Sequence, residues 1–442
     1  MGEKESVDLC IVAKWVVPVV PSGVVHEDST VVVKGGDIVA IVPHSTAEEK
    51  YDAKEVVRLD KRHALVPGLV NMHAHSAMTL LRAIQDDVSL MDWLQNYIWP
   101  AESACVTEEY VEDGALLACA EMLRTGTTAF NDQYFFPEAT ARAAAKTGMR
   151  ALVGAPIINV ETAWSKSGQE GIAKGMKLHE QYKDHDTVHI SLAPHAPYTV
   201  SDELFTEVMK LADEHDLRVH LHLHETEFEV TSVEERPVAR MERLGVLTER
   251  LIAVHMVHLT DEEISLIASK GIAAVVHCPS SNLKLSSGVA RLRELSKAGV
   301  RLCIGTDGAA SNDSLDMWQE IRLAALLERS ALSPSDGRTV LCSQLLEAAT
   351  INGARALGIA HRTGSLEEGK AADLAAVRIR SEPVYDLFTN LVFCGTNTVT
   401  HVWTSGIARV VDEKLVCVDE EELLDKARVW GEKVKAAIAK KK

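Results

Sequence analysis

Between residues 65 and 306 the chain repeats one rhythm eight times: a short apolar run rich in β-branched residues, then a stretch with helical periodicity. The runs fall near 65–70, 127–131, 150–156, 187–193, 218–224, 252–257, 273–277 and 301–306. The intervening stretches carry helix signals. In "SDELFTEVMKLADE" (201–214), Ser201 is placed as an N-cap and Asp202 and Glu203 suit the positive end of the helix dipole. Leu204, Phe205, Val208, Met209, Leu211 and Ala212 make one apolar face. A second helix is expected over 107–124, starting at Thr107 and stopping before Gly126. Eight strand–helix units in about 250 residues predict a (β/α)8 barrel. A doubly wound sheet is the rival, but no G-x-G-x-x-G or G-x-x-x-x-G-K-[ST] follows the first strand.

The two ends have a different texture. The first 60 or so residues contain short β-branched segments ("VDLCIVA", "STVVVKGG", "DIVAIV") separated by turns, and short strands return after about residue 370. The simplest arrangement pairs them in one small β-domain built from both ends of the chain.

Composition narrows the partners. Lys and Arg number 46 against 64 Asp and Glu, a net charge of −18, and the one basic run is the terminal "KAAIAKKK", read as a solvated helix end. Phosphate backbones need clustered cations, so no nucleic-acid partner is expected. No apolar stretch is long enough to cross a bilayer and no signal peptide is evident, so a cytoplasmic location with no membrane partner is expected. The eight cysteines are scattered with no C-x-x-C and are expected to be free, mostly buried thiols.

Barrels of this kind carry their chemistry at the C-terminal ends of the strands. The first predicted strand runs into "PGLVNMHAHSAM", where His73 and His75, two apart, share a face in extended chain. The fourth ends at His195 in "LAPHAPYT", and the fifth in "HLHLHE", with His220, His222, His224 and Glu225. The sixth carries His255 and His258, and the eighth ends at Asp307 in "CIGTDGAASNDS". Each alone has a bland reading, as a packed histidine or a turn aspartate. Their coincidence at one barrel mouth, in a chain with 18 histidines, points to a divalent cation held by nitrogen ligands and one carboxylate. Periodicity does not choose among His220, His222 and His224.

These segments resemble the amidohydrolase superfamily, in its branch of 5′-methylthioadenosine/S-adenosylhomocysteine deaminases. The likeness runs over nearly the whole chain. It includes "PGLVNMHAHSAM" (67–78), "LMDWLQNYIWPAE" (90–102), "APHAPYT" (193–199), "HLHETEFE" (222–229), "HCPSSNLKLSSG" (277–288), "GTDGAASNDS" (305–314) and "GSLEEGKAADL" (364–374). The resemblance implies an α/β fold, a distorted (β/α)8 TIM barrel over 65–364. A small β-sandwich would be built from 1–64 and 365–420, with a C-terminal helix over 421–442. It implies one divalent metal, zinc first with Fe2+ or Mn2+ as alternatives, on His73, His75, His222 and Asp307. It assigns His255 to a place beside the attacking water, Glu225 to proton transfer, Glu102 to the ribose hydroxyls, His195 to substrate contact and Trp93 to the pocket wall. A homo-oligomer, dimer or tetramer, is also implied.

The chemistry expected is hydrolytic deamination. A divalent ion lowers the pKa of its water from about 16 toward roughly 7. Asp307 can accept the water's proton, His255 can hold the nucleophile in line, and protonated Glu225 can charge-balance N1 and assist loss of ammonia. Relatives acting on S-adenosylhomocysteine hold its carboxylate with arginines after the third strand. Here "RALVGAPIINVETAWSKSGQEG" has none beyond Arg150, only Lys166. 5′-Methylthioadenosine is therefore the expected substrate, going to 5′-methylthioinosine, with adenosine and S-adenosylhomocysteine as further candidates. A triazine hydrolase or another aminohydrolase or chlorohydrolase of the superfamily is the alternative, and a metal-free scaffold protein is disfavoured because all four ligands are present.

Overall fold

The computed structural model describes residues 4–85, 90–330, 340–395 and 397–439. Seventeen strands among them form two sheets. The N-terminal strands are β1 (Glu5–Val16), β2 (His26–Lys34), β3 (Asp37–Pro43), β4 (Tyr51–Arg58) and β5 (His63–Pro67). Eight follow in the middle of the chain: β6 (Leu69–Ala74), β7 (Thr127–Gln133), β8 (Arg150–Ile157), β9 (Val188–Pro194), β10 (Val219–Leu223), β11 (Leu251–His255), β12 (Ala274–His277) and β13 (Leu302–Ile304). The last four are β14 (Leu374–Arg378), β15 (Thr398–Thr404), β16 (Ile407–Val411) and β17 (Lys414–Leu415).

β6 to β13 pair in sequence order, all parallel. The ring nearly closes where the Asp307 amide, just past β13, donates to the His73 carbonyl of β6 at 2.9 Å. Gly305 permits that approach, because a Cβ there would lie 2.7 Å from the His73 nitrogen. The barrel predicted from the eightfold rhythm is the observed fold.

One of the eight runs is divided. The apolar segment read as a single strand at 65–70 belongs to two sheets that meet at Gly68. His63–Pro67 pairs with β14 and β1, and Leu69 starts the barrel. The junction is tight: a Cβ on Gly68 would stand 2.0 Å from Thr128 Oγ1. Hydropathy cannot reveal such a division, since both halves are fully buried.

The terminal strands form one mixed sheet in the order β17-β16-β15-β14-β5-β1-β2-β3, with β4 also pairing β1. Both chain ends contribute to its apolar layer, which contains Leu9, Ile11, Val31, Val33, Ile38, Leu65, Leu374, Ala376 and Trp403. A buried ion pair ties it to the barrel: Arg150 Nε to Asp373 Oδ2 at 2.7 Å, with Ser405 bonded to both residues.

The two helices expected at 107–124 and 201–214 begin at their capping residues. Ser201 Oγ accepts from the Leu204 amide and Thr107 Oγ1 from the Tyr110 amide. Leu204, Phe205, Val208, Met209 and Ala212 then bury the inner face of Asp202–Glu214. The C-terminal helix, Glu420–Ala439, docks on the outer helix Glu108–Arg124. Trp430 meets Tyr110 edge-on at 5.2 Å and donates from Nε1 to Asp113 at 2.9 Å, while Lys426 pairs with the same carboxylate. No helix among the described residues is long and apolar enough to cross a membrane. All eight cysteines are free, six of them buried.

Candidate active site

Extended geometry and the barrel's curvature bring three strand ends to one point. His73 lies in β6 with His75 just beyond it; His222 lies in β10 and Asp307 follows β13. His73 Nε2 and His75 Nε2 each stand 3.2 Å from Asp307 Oδ1, and His222 Nε2 stands 3.2 Å from His73 Nε2 and 3.3 Å from His75 Nε2. A tetrahedral ion with bonds of about 2.0–2.1 Å separates its ligand atoms by roughly 3.3 Å.

The tautomers agree with that spacing. His75 Nδ1 meets the Gln133 carbonyl and His222 Nδ1 the His195 carbonyl, the latter at 2.8 Å. A carbonyl only accepts, so in the neutral rings Nδ1 carries the hydrogen and Nε2 turns a lone pair inward. His73 places its Nδ1 against His220 Nε2 at 2.9 Å. Three imidazole Nε2 atoms and a carboxylate oxygen thus converge at one place. That is a donor set for one cation and an unfavourable arrangement without positive charge.

The ionisation pattern expresses the same demand. Burial pushes His73 down to about 4 and His222 well below its usual range. Burial works against Asp307 as an anion, yet His73 and His75 hold it well below the ordinary carboxylate value. Burial would also lower His75, but the Asp307 hydrogen bond and charge outweigh it and carry the imidazole to about 9.

Two proton-transfer groups border the cluster. Glu225, two residues past β10, is raised above its usual value, chiefly by burial. Its Oε2 lies 3.8 Å from Nε2 of His255, which ends β11 and is itself 4.0 Å from Asp307 Oδ2. His224, His255, Met256 and Asp307 all have positive φ, between 49° and 74°. Such left-handed turns at non-glycine residues re-aim the side chains at the strand ends.

The substrate-side residues divide. Glu102, in the helix Trp99–Cys105, accepts from the Tyr134 hydroxyl at 2.8 Å, and burial lifts it to about 7. His195 follows β9, bonds Thr199 through Nδ1 at 3.0 Å and packs at 5.1 Å from the His222 ring. Trp93 is buried in the same apolar cluster as Ile98, Ala101 and Cys105. Among the described residues no hydrogen bond or ring contact ties Trp93 to the catalytic cluster.

Several participants were not singled out by sequence reading. Ser281 Oγ donates to Asp307 Oδ2 at 2.7 Å, and the Asn282 carboxamide holds His255 Nδ1 at 2.8 Å. Both lie in "HCPSSNLKLSSG", just past β12, so their place at a strand end was the available signal. Gln133 and Tyr134, at the end of β7, carried the same strand-end signal, whereas the role of His220 behind His73 had none.

Known proteins resemble the chain over nearly its full length. The amidohydrolase family model matches residues 64–408. A 5-methylthioadenosine/S-adenosylhomocysteine deaminase of Saccharophagus degradans is 41% identical, covering 99% of each chain. A zinc-bound crystal structure of an adenosine deaminase from Xanthomonas campestris is 44% identical, covers 98% of this chain and 100% of that one, and superposes with a TM-score of 0.94. The zinc complex of atrazine chlorohydrolase from Arthrobacter aurescens is 24% identical with a TM-score of 0.86 over 96% of this chain and 100% of that one, a likeness of fold alone.

Proposed function

Because the chain belongs to the amidohydrolase family, we propose that it is the hydrolase that removes the 6-amino group from the adenine ring of 5′-methylthioadenosine. The products are 5′-methylthioinosine and ammonia, and adenosine and S-adenosylhomocysteine are secondary substrates. The observation that carries this reading is the placement of half-buried Glu225 and buried His255 beside the convergent His73, His75, His222 and Asp307 atoms. Full-length similarity to deaminases acting on such nucleosides supports it.

The four converging residues would hold one divalent cation. Zinc is favoured by the nitrogen-rich, tetrahedrally spaced donors and by the zinc in the adenosine deaminase structure. When bound, the cation supplies Lewis acidity, bringing the pKa of a water down toward roughly 7.

The side chains supply the rest. Asp307 Oδ2, on the side away from His73 and His75, accepts a proton from the attacking water. Ser281 orients this oxygen. His255, fixed through Nδ1 by Asn282, directs Nε2 toward the nucleophile's path. As the C6–O bond forms, negative charge develops on N1, and Glu225 meets it with a proton. The resulting carboxylate takes the proton of the new C6 hydroxyl and passes it to the departing nitrogen as the C6–N bond breaks and the C6 carbonyl forms, and the proton held by Asp307 then restores Glu225. Ionised Glu102 accepts from the ribose hydroxyls, His195 contacts the substrate, and Trp93 backs the pocket wall.

The preference for a small 5′ group has a structural reason. Arg150, which opens β8, is committed to Asp373 in a buried pair and cannot serve a substrate carboxylate. A cytoplasmic homo-oligomer, dimer or tetramer, completes the reading; free thiols throughout suit a reducing compartment.

The test is an ultraviolet assay of the purified zinc-loaded protein with 5′-methylthioadenosine, adenosine, S-adenosylhomocysteine and a chlorotriazine side by side. Fastest turnover is expected on 5′-methylthioadenosine. Activity on the triazine alone would overturn the nucleoside reading, and a tenfold preference for S-adenosylhomocysteine in kcat/KM would overturn the substrate order.

A further inference from the structure

The segment that delivers Glu225 has an unusual backbone. β10 ends at Leu223, and His224 then turns into the left-handed region at φ 54°. On one edge the turn is accounted for: the amides of Val257 and His258 donate to the His224 carbonyl at 2.9 and 3.2 Å, and Met256 donates to the Leu223 carbonyl at 3.0 Å. The other edge exposes the amides of His224 and Glu225, which have left the strand ladder. One side chain takes both. Glu229 Oε1 accepts from the His224 amide and Oε2 from the Glu225 amide, each at 2.9 Å.

Glu229 is itself well fixed. It is 5% exposed, and its own amide donates to Thr226 Oγ1, the N-cap of the short helix Glu227–Thr231. The His224 ring pins the same turn from the far side, bonding the His258 carbonyl through Nδ1 and the Val238 amide through Nε2, both at 3.1 Å.

We propose that Glu229 is a positioning residue for Glu225: its carboxylate clamps the two amides of the 224–225 turn and thereby holds the proton-donating side chain at His255 and the reacting ring. The inference rests on the role given to Glu225 under the proposed function. A carboxylate suits this place because it is acceptor-only at both oxygens. Glutamine at the same position offers one acceptor and sets an NH2 group against the second amide. Alanine leaves two buried amides unpaired at a turn that already carries a left-handed residue. In both variants the turn relaxes, and the proton donor moves while the cation ligands, which lie on other segments or within β10, stay in place. Misplacement of about 1 Å is enough to cost on the order of a hundredfold in rate.

The experiment uses the full-length zinc-loaded protein and its Glu229→Gln and Glu229→Ala variants. Each is assayed on 5′-methylthioadenosine and on the matching nucleoside with chloride at C6. Chloride departs without a proton, so the chloro substrate needs Glu225 for N1 only and the amino substrate needs it twice. Expected is a ten- to hundredfold fall in kcat on the amino substrate for Glu229→Gln and a larger fall for Glu229→Ala. KM stays within threefold, bound zinc stays at the wild-type level, and the fall on the chloro substrate is smaller. Unchanged kcat, equal losses on the two substrates, or losses that track zinc content would each overturn the proposal. If neither variant folds, Glu229→Asp, short enough to reach only one amide, must give an intermediate kcat, and full activity there would refute the clamp. A wild-type protein inactive on both nucleosides refutes the proposed function instead, whereas an active wild type with indifferent Glu229 variants refutes only this inference.

Discussion

Removing a single hydroxyl tests the proposed substrate site most sharply. Tyr134 donates to half-buried Glu102 at Oε1, 2.8 Å away, and that bond opposes the desolvation that lifts Glu102 to about 7. A hydrogen bond to a charged group contributes about 1.5–3 kcal/mol. At 1.36 kcal/mol per pKa unit, Tyr134→Phe raises Glu102 by roughly 1–2 units. Ribose hydroxyls donate best to an ionised carboxylate, so productive binding follows the ionised fraction. At pH 7 that fraction drops from about one half to roughly 1–10%, a loss in kcat/KM of about 5- to 50-fold. The direction is fixed by the sign of the shift. The acid limb of the kcat/KM profile moves to higher pH, and the ratio of variant to wild-type kcat/KM returns toward one above about pH 9.5, where both proteins hold Glu102 ionised. The assay is kcat/KM for 5′-methylthioadenosine from pH 5.5 to 10, repeated with 2′,3′-dideoxyadenosine, which lacks the hydroxyls and is expected to be insensitive. A loss of equal size at every pH, or an equal loss on the dideoxy substrate, refutes the reasoning.

Three further outcomes are expected. Glu225→Gln lowers kcat at least a thousandfold with bound zinc unchanged; because burial raises Glu225 and the protonated form is the active one, wild-type kcat/KM declines as pH rises through that raised pKa, as a pH–rate profile reports. Arg150→Ala leaves Asp373 buried and unpaired, which costs about 3–5 kcal/mol of stability in denaturant titration, while kcat of the folded fraction stays within twofold. Chelation abolishes activity and lowers the melting temperature, zinc restores both, and His222→Ala loses the restoration because one of the four converging atoms is gone.

Much of this fold and site is legible in the sequence. Period-two geometry put His73 and His75 on one face, and the eightfold alternation of apolar runs and helical stretches announced the barrel. Strand ends then gave the places where histidines and an aspartate would meet. Ser201 and Thr107 cap the helices that their positions predicted. These are local properties, carried by propensity, spacing and burial pattern, which act over a few residues.

The fifth strand shows where local reasoning ended. His220, His222 and His224 alternate identically along the sequence, yet they do three different things. His220 sits one pleat deeper and meets His73 from behind, and His222 stands level with His73, His75 and Asp307. His224 leaves the strand at positive φ to fasten the segments at Val238 and His258. Height in the barrel separates them, and height depends on strand stagger, which arises only when the ring closes. Gly68 likewise divides a continuous apolar run between two sheets because Thr128, distant in the chain, occupies the space a side chain would need.

By itself, then, the sequence determined which elements form and which residue types reach the barrel mouth, since those follow from short-range periodicity and apolar burial. Only the tertiary structure decided which imidazole faces the shared point, which hydroxyl and amide orient Asp307 and His255, and which carboxylate clamps the Glu225 turn. Those choices are made by contacts between segments far apart in the chain, brought within hydrogen-bonding distance when eight parallel strands close into a barrel.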